Sequence, residues 1–223
     1  MGMGKQIIEK EGRMKKLVLF GFCLGIFMSL ASISQANLIT NGSFENGINI
    51  TMGRFDTLSQ GDSTSILGWT VTGGTIDYIG TYWQAADGYR SLDMCGNGSG
   101  SISQTFTTTP GQLYKVDFSM AGNPDGTPNI KQLVAAVTSG GVGAAYFTFD
   151  TTGKTKADMG WETKTFDFTA LGASSTLTFF SVDYGSPCGA ALDNVSVNAV
   201  PVPAAFYLFA SGLFGLISVQ RKK

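Results

Sequence analysis

The sequence contains no histidine. Without imidazole, Ser-His-Asp and Cys-His nucleophilic catalysis are excluded, as is zinc hydrolysis through imidazole ligands. Charge is also scarce, at 14% of 223 residues, and it is unevenly spread. Residues 37–200 hold seven Lys or Arg against fourteen Asp or Glu, a formal charge of −7. An acidic surface argues against nucleic acid and anionic membrane surfaces as partners. No phosphate-loop or dinucleotide fingerprint occurs, because the glycines fall in turns. Residues 37–200 show no helical periodicity, no Pro-rich linker and no internal repeat. Paired carboxylates can run glycoside hydrolysis, but among fourteen acids some pair always exists, so spacing points to none. The expectation is a protein that is not an enzyme.

Long apolar runs are confined to the two ends. Lys15 and Lys16 precede a run from Leu17 to Ala31 that only Ser29 interrupts, and Ser34-Gln35-Ala36 offers small residues for a signal peptidase. This pattern predicts a secretory signal over residues 1–36, with Met14 a cleaner start than Met1. At the other end, Val200-Pro201-Val202-Pro203 leads into the uncharged stretch Ala204 to Gln220, closed by Arg221, Lys222 and Lys223. That run is long enough to cross a thin bilayer as a helix, its basic tail on the cytoplasmic side. Of three cysteines, Cys23 leaves with the signal. Cys95 and Cys188 then share an oxidising compartment, which predicts a disulfide between them. Closing so long a loop stabilises by about 4 kcal/mol in the chain-entropy account. Two free thiols are the alternative.

Between the ends, short β-type runs recur. Tyr114, Val116, Phe118 and Met120 alternate with Lys115, Asp117 and Ser119, the period of a strand with one buried face. Ile102, Gln104 and Phe106 share another face, and Phe166 with Phe168 a third. Val134 to Val137, Ala145 to Phe149 and Leu177 to Val182 add further strands. Many short strands divided by Gly, Asn and Pro turns predict an all-β domain, a jelly-roll β-sandwich over 37–198.

Two groups of residues carry candidate chemistry. In Cys188 to Val197, parity puts Asp193 on the same face as Val195 and Val197. A carboxylate on a buried face is costly unless neutralised, and Ca²⁺ prefers such oxygen ligands. Glu45 supplies a second carboxylate if the first and last strands pair. The alternatives are that parity breaks near Asp193 or that Asp193 caps a turn. The stretch from Gly68 to Met94 holds Trp69, Tyr78, Tyr82, Trp83 and Tyr89. Trp69, between Leu67 and Val71, reads as core. Tyr82 and Trp83 follow Gly80 and precede a polar turn with Asp87, so flat rings and a hydroxyl-binding carboxylate could meet a sugar there. Aromatic core residues are the other reading.

The C-terminal Val-Pro-Val-Pro motif, apolar run and basic tail resemble a PEP-CTERM sorting signal over residues 199–223, with Val-Pro-Val-Pro in place of Pro-Glu-Pro. The resemblance implies export by a bacterium and an exosortase-type processing enzyme as partner, with the membrane engaged by the C-terminal helix before processing. Residues 37–198 are similar to the choice-of-anchor C family. The matching residues include Asn41-Gly42-Ser43-Phe44-Glu45, Gly68-Trp69-Thr70-Val71, Ile76-Asp77-Tyr78, Tyr82-Trp83-Gln84, Leu92-Asp93 and Asp193-Asn194-Val195. The resemblance implies a galactose-binding-like jelly roll related to carbohydrate-binding modules, with a structural calcium between Glu45 and Asp193. The combined expectation is an exported, surface-associated, non-catalytic protein. It would bind extracellular polysaccharide through Trp83, Tyr82 and Asp87, and its rivals are a ligand-free matrix spacer and a glycoside-active enzyme.

Overall fold

The computed structural model describes residues 36–201. The expected signal helix and C-terminal hydrophobic helix lie outside the described residues. Among the described residues, no helix is long and apolar enough to cross a membrane.

Among the described residues, twelve strands form two antiparallel sheets. The seven-stranded sheet runs β1 (Phe55–Ser59), β3 (Thr75–Ile79), β4 (Ser91–Asp93), β12 (Ala190–Ala199), β6 (Leu113–Gly122), β10 (Glu162–Ala170), β8 (Gly141–Val142). The five-stranded sheet runs β2 (Thr70–Gly73), β5 (Ser101–Thr107), β11 (Ser174–Ser181), β7 (Ile130–Ser139), β9 (Ala144–Asp150). Neighbours in each sheet are mostly distant in sequence. This is the expected jelly-roll sandwich.

The alternation read from the sequence sets the two faces. Tyr114, Val116, Phe118 and Met120 of β6 are buried between the sheets. From the opposite sheet Phe179 meets Phe118 edge-on at 5.0 Å, and Trp69 packs on Phe44 at 5.3 Å. Trp69 is core, as expected, and its indole N–H donates to the Asn41 carbonyl at 3.1 Å. Truncating a core aromatic of this kind costs about 3–5 kcal/mol.

The N-terminal segment runs beside β12, because Leu38 N donates to Val197 O and Val195 N to Gly42 O, both at 2.9 Å. A Cβ on Gly42 would stand 2.0 Å from Val195 O, so only glycine allows that approach. The first and last segments of the domain are therefore paired, as the carboxylate argument required.

The seven-stranded sheet also carries a polar row on its outer face. Registers Thr57↔Asp77 and Asp77↔Asp93 line up these three residues across β1, β3 and β4, and Ala191 and Ala121 continue the line on β12 and β6. Their neighbours Tyr78, Leu92, Leu192 and Met120 point into the core.

Candidate functional site

A cleft of about 320 Å³ opens on this outer face. Its floor is the polar row. Asp77 is 6% exposed, and its Oδ1 accepts the Thr57 hydroxyl at 2.6 Å. Asp93 is fully enclosed. Its Oδ1 accepts the amides of Cys95 and Gly189, and its Oδ2 accepts the Asn123 side chain at 2.7 Å. Burial pushes the Asp93 carboxyl up to about 7 against these three donors, with nearby Asp77 adding to the rise. Burial raises Asp77 too, against the Thr57 bond.

One wall is aromatic. Tyr82 packs edge-on against Phe55 at 5.3 Å, and Phe55 is 41% exposed. Tyr82 Oη donates to Asp125 Oδ2 at 2.6 Å, and Lys156 Nζ reaches the same oxygen at 2.8 Å. The ammonium also lies 3.8 Å from the Tyr82 ring centroid. This arrangement fixes the ring's orientation at the rim. Asn97 and Asn123 add amides, and no basic side chain lines the cleft. Behind the floor, Lys131 Nζ is turned onto the carbonyls of Gly126 and Cys188.

Beside the cleft, the loop from Ala86 to Arg90 is held by two carboxylates. Asp193 Oδ2 accepts the amides of Ala86 and Asp87 at 2.8 and 2.9 Å. Glu45 Oε1 accepts those of Tyr89 and Arg90 at 2.8 and 2.7 Å. Gly88 turns between them at φ +69°, where a Cβ would sit 2.5 Å from Glu45 Oε1. Burial raises Asp193 to about 7 although three amides donate to it.

A family model described as "Protein of unknown function (DUF642)" matches residues 37–198. The chain belongs to the DUF642 family. Halomucin of Haloquadratum walsbyi is 34% identical over 175 residues, which is 77% of this chain and 2% of Halomucin. Protein DUF642 L-GALACTONO-1,4-LACTONE-RESPONSIVE GENE 1 of Arabidopsis thaliana is 26% identical over 185 residues, 75% of this chain and 47% of that protein. The chain thus spans less than half of either curated relative. The solved carbohydrate-binding module TmCBM61, in complex with beta-1,4-galactotriose, is similar in fold. It is 15% identical at a TM-score of 0.44, over 74% of this chain and 99% of that one.

Within this DUF642 domain the expected site residues separate. Tyr82 lines the cleft. Trp83 touches it but is only 5% exposed, and its indole N–H donates to Ser91 Oγ at 2.8 Å. It therefore anchors its loop to the outer face and is not an open stacking platform. Asp87 stands outside the cleft, its carboxylate accepting the Ser43 hydroxyl at 2.6 Å.

Asp193 is not on the face of Val195 and Val197. Asn194 adopts φ 49°, and the ladder with β6 shifts between Asp193 and Ser196, so parity breaks there. Glu45 and Asp193 also do not fit a calcium as arranged. Their loop-facing oxygens already accept amides, and among the described residues no group of three or more acidic or cysteine side chains is arranged to hold a metal ion.

Cys95 and Cys188 stand as free thiols in the structure. Cys95 Sγ lies 3.1 Å from Ser181 Oγ. Phe55, Asp77, Asp93, Asn97, Asn123 and Asp125 were not singled out by sequence, although Asp77, flanked by Ile76 and Tyr78, carried an alternation signal.

Proposed function

We propose that this DUF642 domain is a non-catalytic carbohydrate-binding module that holds a segment of extracellular polysaccharide in the cleft of the seven-stranded sheet. One observation carries the reading. Tyr82 and Phe55 form an aromatic wall over a floor of carboxylate and amide groups. Sugar rings present C–H faces to aromatic rings and hydroxyls to such acceptors, and both kinds of group converge here. A ligand-free spacer gives no reason for a fixed, partly exposed Tyr82 and Phe55 pair beside buried acids.

The non-catalytic reading is supported by Asp93, which is enclosed and engaged by three donors. Asp125 is tied to Lys156 and Tyr82. Glycoside hydrolysis needs two carboxyl groups free to act on the sugar. We further propose that the domain works outside the cell, delivered by the N-terminal signal and retained or released through an exosortase acting on residues 199–223.

The test is a glycan array followed by calorimetry with the full chain. Tyr82→Ala should weaken binding by about tenfold or more, the value of one base-sized or sugar-sized stacking contact. Array-wide absence of binding, or unchanged affinity in Tyr82→Ala, would reject the cleft as a sugar site.

A further inference from the structure

The cleft's charge narrows its ligand. Three carboxylates line it, those of Asp77, Asp93 and Asp125, and no basic side chain does. Lys156 is spent on Asp125 at the rim, and Lys131 on two carbonyls behind the floor. Asp77 offers the open acceptor. It is more than nine-tenths buried and lines the cleft, yet only its Oδ1 has a protein donor. Among the described residues no ion pair reaches Asp77 or Asp93. These two acids stand directly opposite each other across β3 and β4, where like charges repel.

Resting on the polysaccharide reading above, we propose that the cleft takes a glycan bearing free amino groups, with one ammonium donating to Asp77 Oδ2 beside the Tyr82 wall. An ammonium gives that open oxygen a charge-assisted donor and pairs with the one cleft carboxylate that has neither a cation nor a full set of donors. A uronate carboxylate would face the Asp77 carboxylate with no free cation in the cleft to pair with, since Lys156 is held by Asp125, so polyuronates are poor ligands of this cleft. That burial holds Asp77 and Asp93 above the ordinary carboxylate range agrees with a site short of a cation.

The experiment compares three oligosaccharides of equal length by calorimetry on the full chain at mildly acidic pH. They are a glucosamine oligomer, its N-acetylated form and a galacturonate oligomer. The amino form should bind roughly tenfold or more tighter than the N-acetylated one, the value of one charge-assisted hydrogen bond. Asp77→Asn should erase that difference.

Asp150→Asn removes the same unit of charge from an exposed position on β9 of the other sheet, and should leave the difference intact. Equal loss in both variants would mean general attraction to the acidic surface and overturns the proposal. Equal affinity for the amino and N-acetyl forms, both lost in Tyr82→Ala, overturns it while the polysaccharide reading stands. Tightest binding by galacturonate also overturns it. Binding by none of the three, together with an empty glycan array, removes both. The amino-to-acetyl ratio in the unmutated chain is a test that needs no variant to fold.

Discussion

Glu45 and Asp193 hold the two halves of one loop. Asp193 takes the amides of Ala86 and Asp87, and Glu45 those of Tyr89 and Arg90. The two carboxylates come from opposite ends of the domain, so they tie the loop following Trp83 to both. Asp193 is buried and Glu45 exposed. Asp193→Ala should therefore cost about 2–4 kcal/mol, since it empties a buried position and releases three backbone amides, and Glu45→Ala about 1 kcal/mol. Urea unfolding reads the totals. Hydrogen exchange reads the division: faster exchange at Ala86 and Asp87 in the first variant, and at Tyr89 and Arg90 in the second. Chelation should leave the melting temperature of the unmutated chain unchanged. A fall on chelation would mean that a cation, and not the amides, satisfies these acids.

The strands were legible because one-face burial writes itself as alternation, clearest at Tyr114 to Met120. Trp69 was legible because apolar residues surround it. Asp193 was not, because a single left-handed residue, Asn194, inverts the parity on which the argument depended. The cleft floor was not legible either. Asp77 and Asp93 are sixteen positions apart and meet only through the register of β3 on β4, which no local pattern encodes. The role of Trp83 was misread for a related reason. An aromatic after Gly80 looks like a loop tip until the loop is seen to fold back on Ser91.

Trp83→Ala is accordingly a stability variant. The indole is nearly enclosed and its N–H is satisfied by Ser91, so truncation leaves a cavity and an unpaired hydroxyl. The expected loss is about 3–5 kcal/mol, seen as a lower denaturant midpoint. Trp83→Phe should retain most of the packing and lose only the hydrogen bond, about 1 kcal/mol. If Trp83→Ala were as stable as the parent and only sugar binding fell, the indole would be a platform after all.

The two thiols should react unequally. Burial pushes the Cys95 thiol up to about 11, with Asp93 and Asp183 adding to the rise against a bond to Ser181. The reactive thiolate is therefore negligible at neutral pH. Cys188 is raised by burial as well but is only half-buried and lines the cleft. Alkylation of the native chain followed by peptide mapping should label Cys188 slowly and Cys95 only after denaturation. Bound sugar should slow Cys188 further. Recovery of one peptide containing both residues, joined until a reductant is added, would restore the disulfide expected of an exported protein.

Asp93 gives the stability curve an unusual slope. Its carboxyl lies near 7 in the folded chain and near its ordinary 3.8 when unfolded. Between those values the folded state holds a proton that the unfolded state has lost, so stability falls as pH rises from about 4 to about 7 and then levels off. Asp193, also raised to about 7, acts in the same direction. Asp150, lowered by the Thr152 hydroxyl and amide, acts in the opposite sense, but its contribution is lost only as pH drops below about 4. Unfolding free energy measured across this range should peak on the acidic side, near pH 4 to 5, instead of at neutrality. Asp93→Asn carries no charge to release and should flatten the decline, with Asp193 supplying what remains. A profile that rises steadily from pH 4 to 7 would mean that Asp93 stays ionised in the fold, held by Asn123 and the two amides despite its burial.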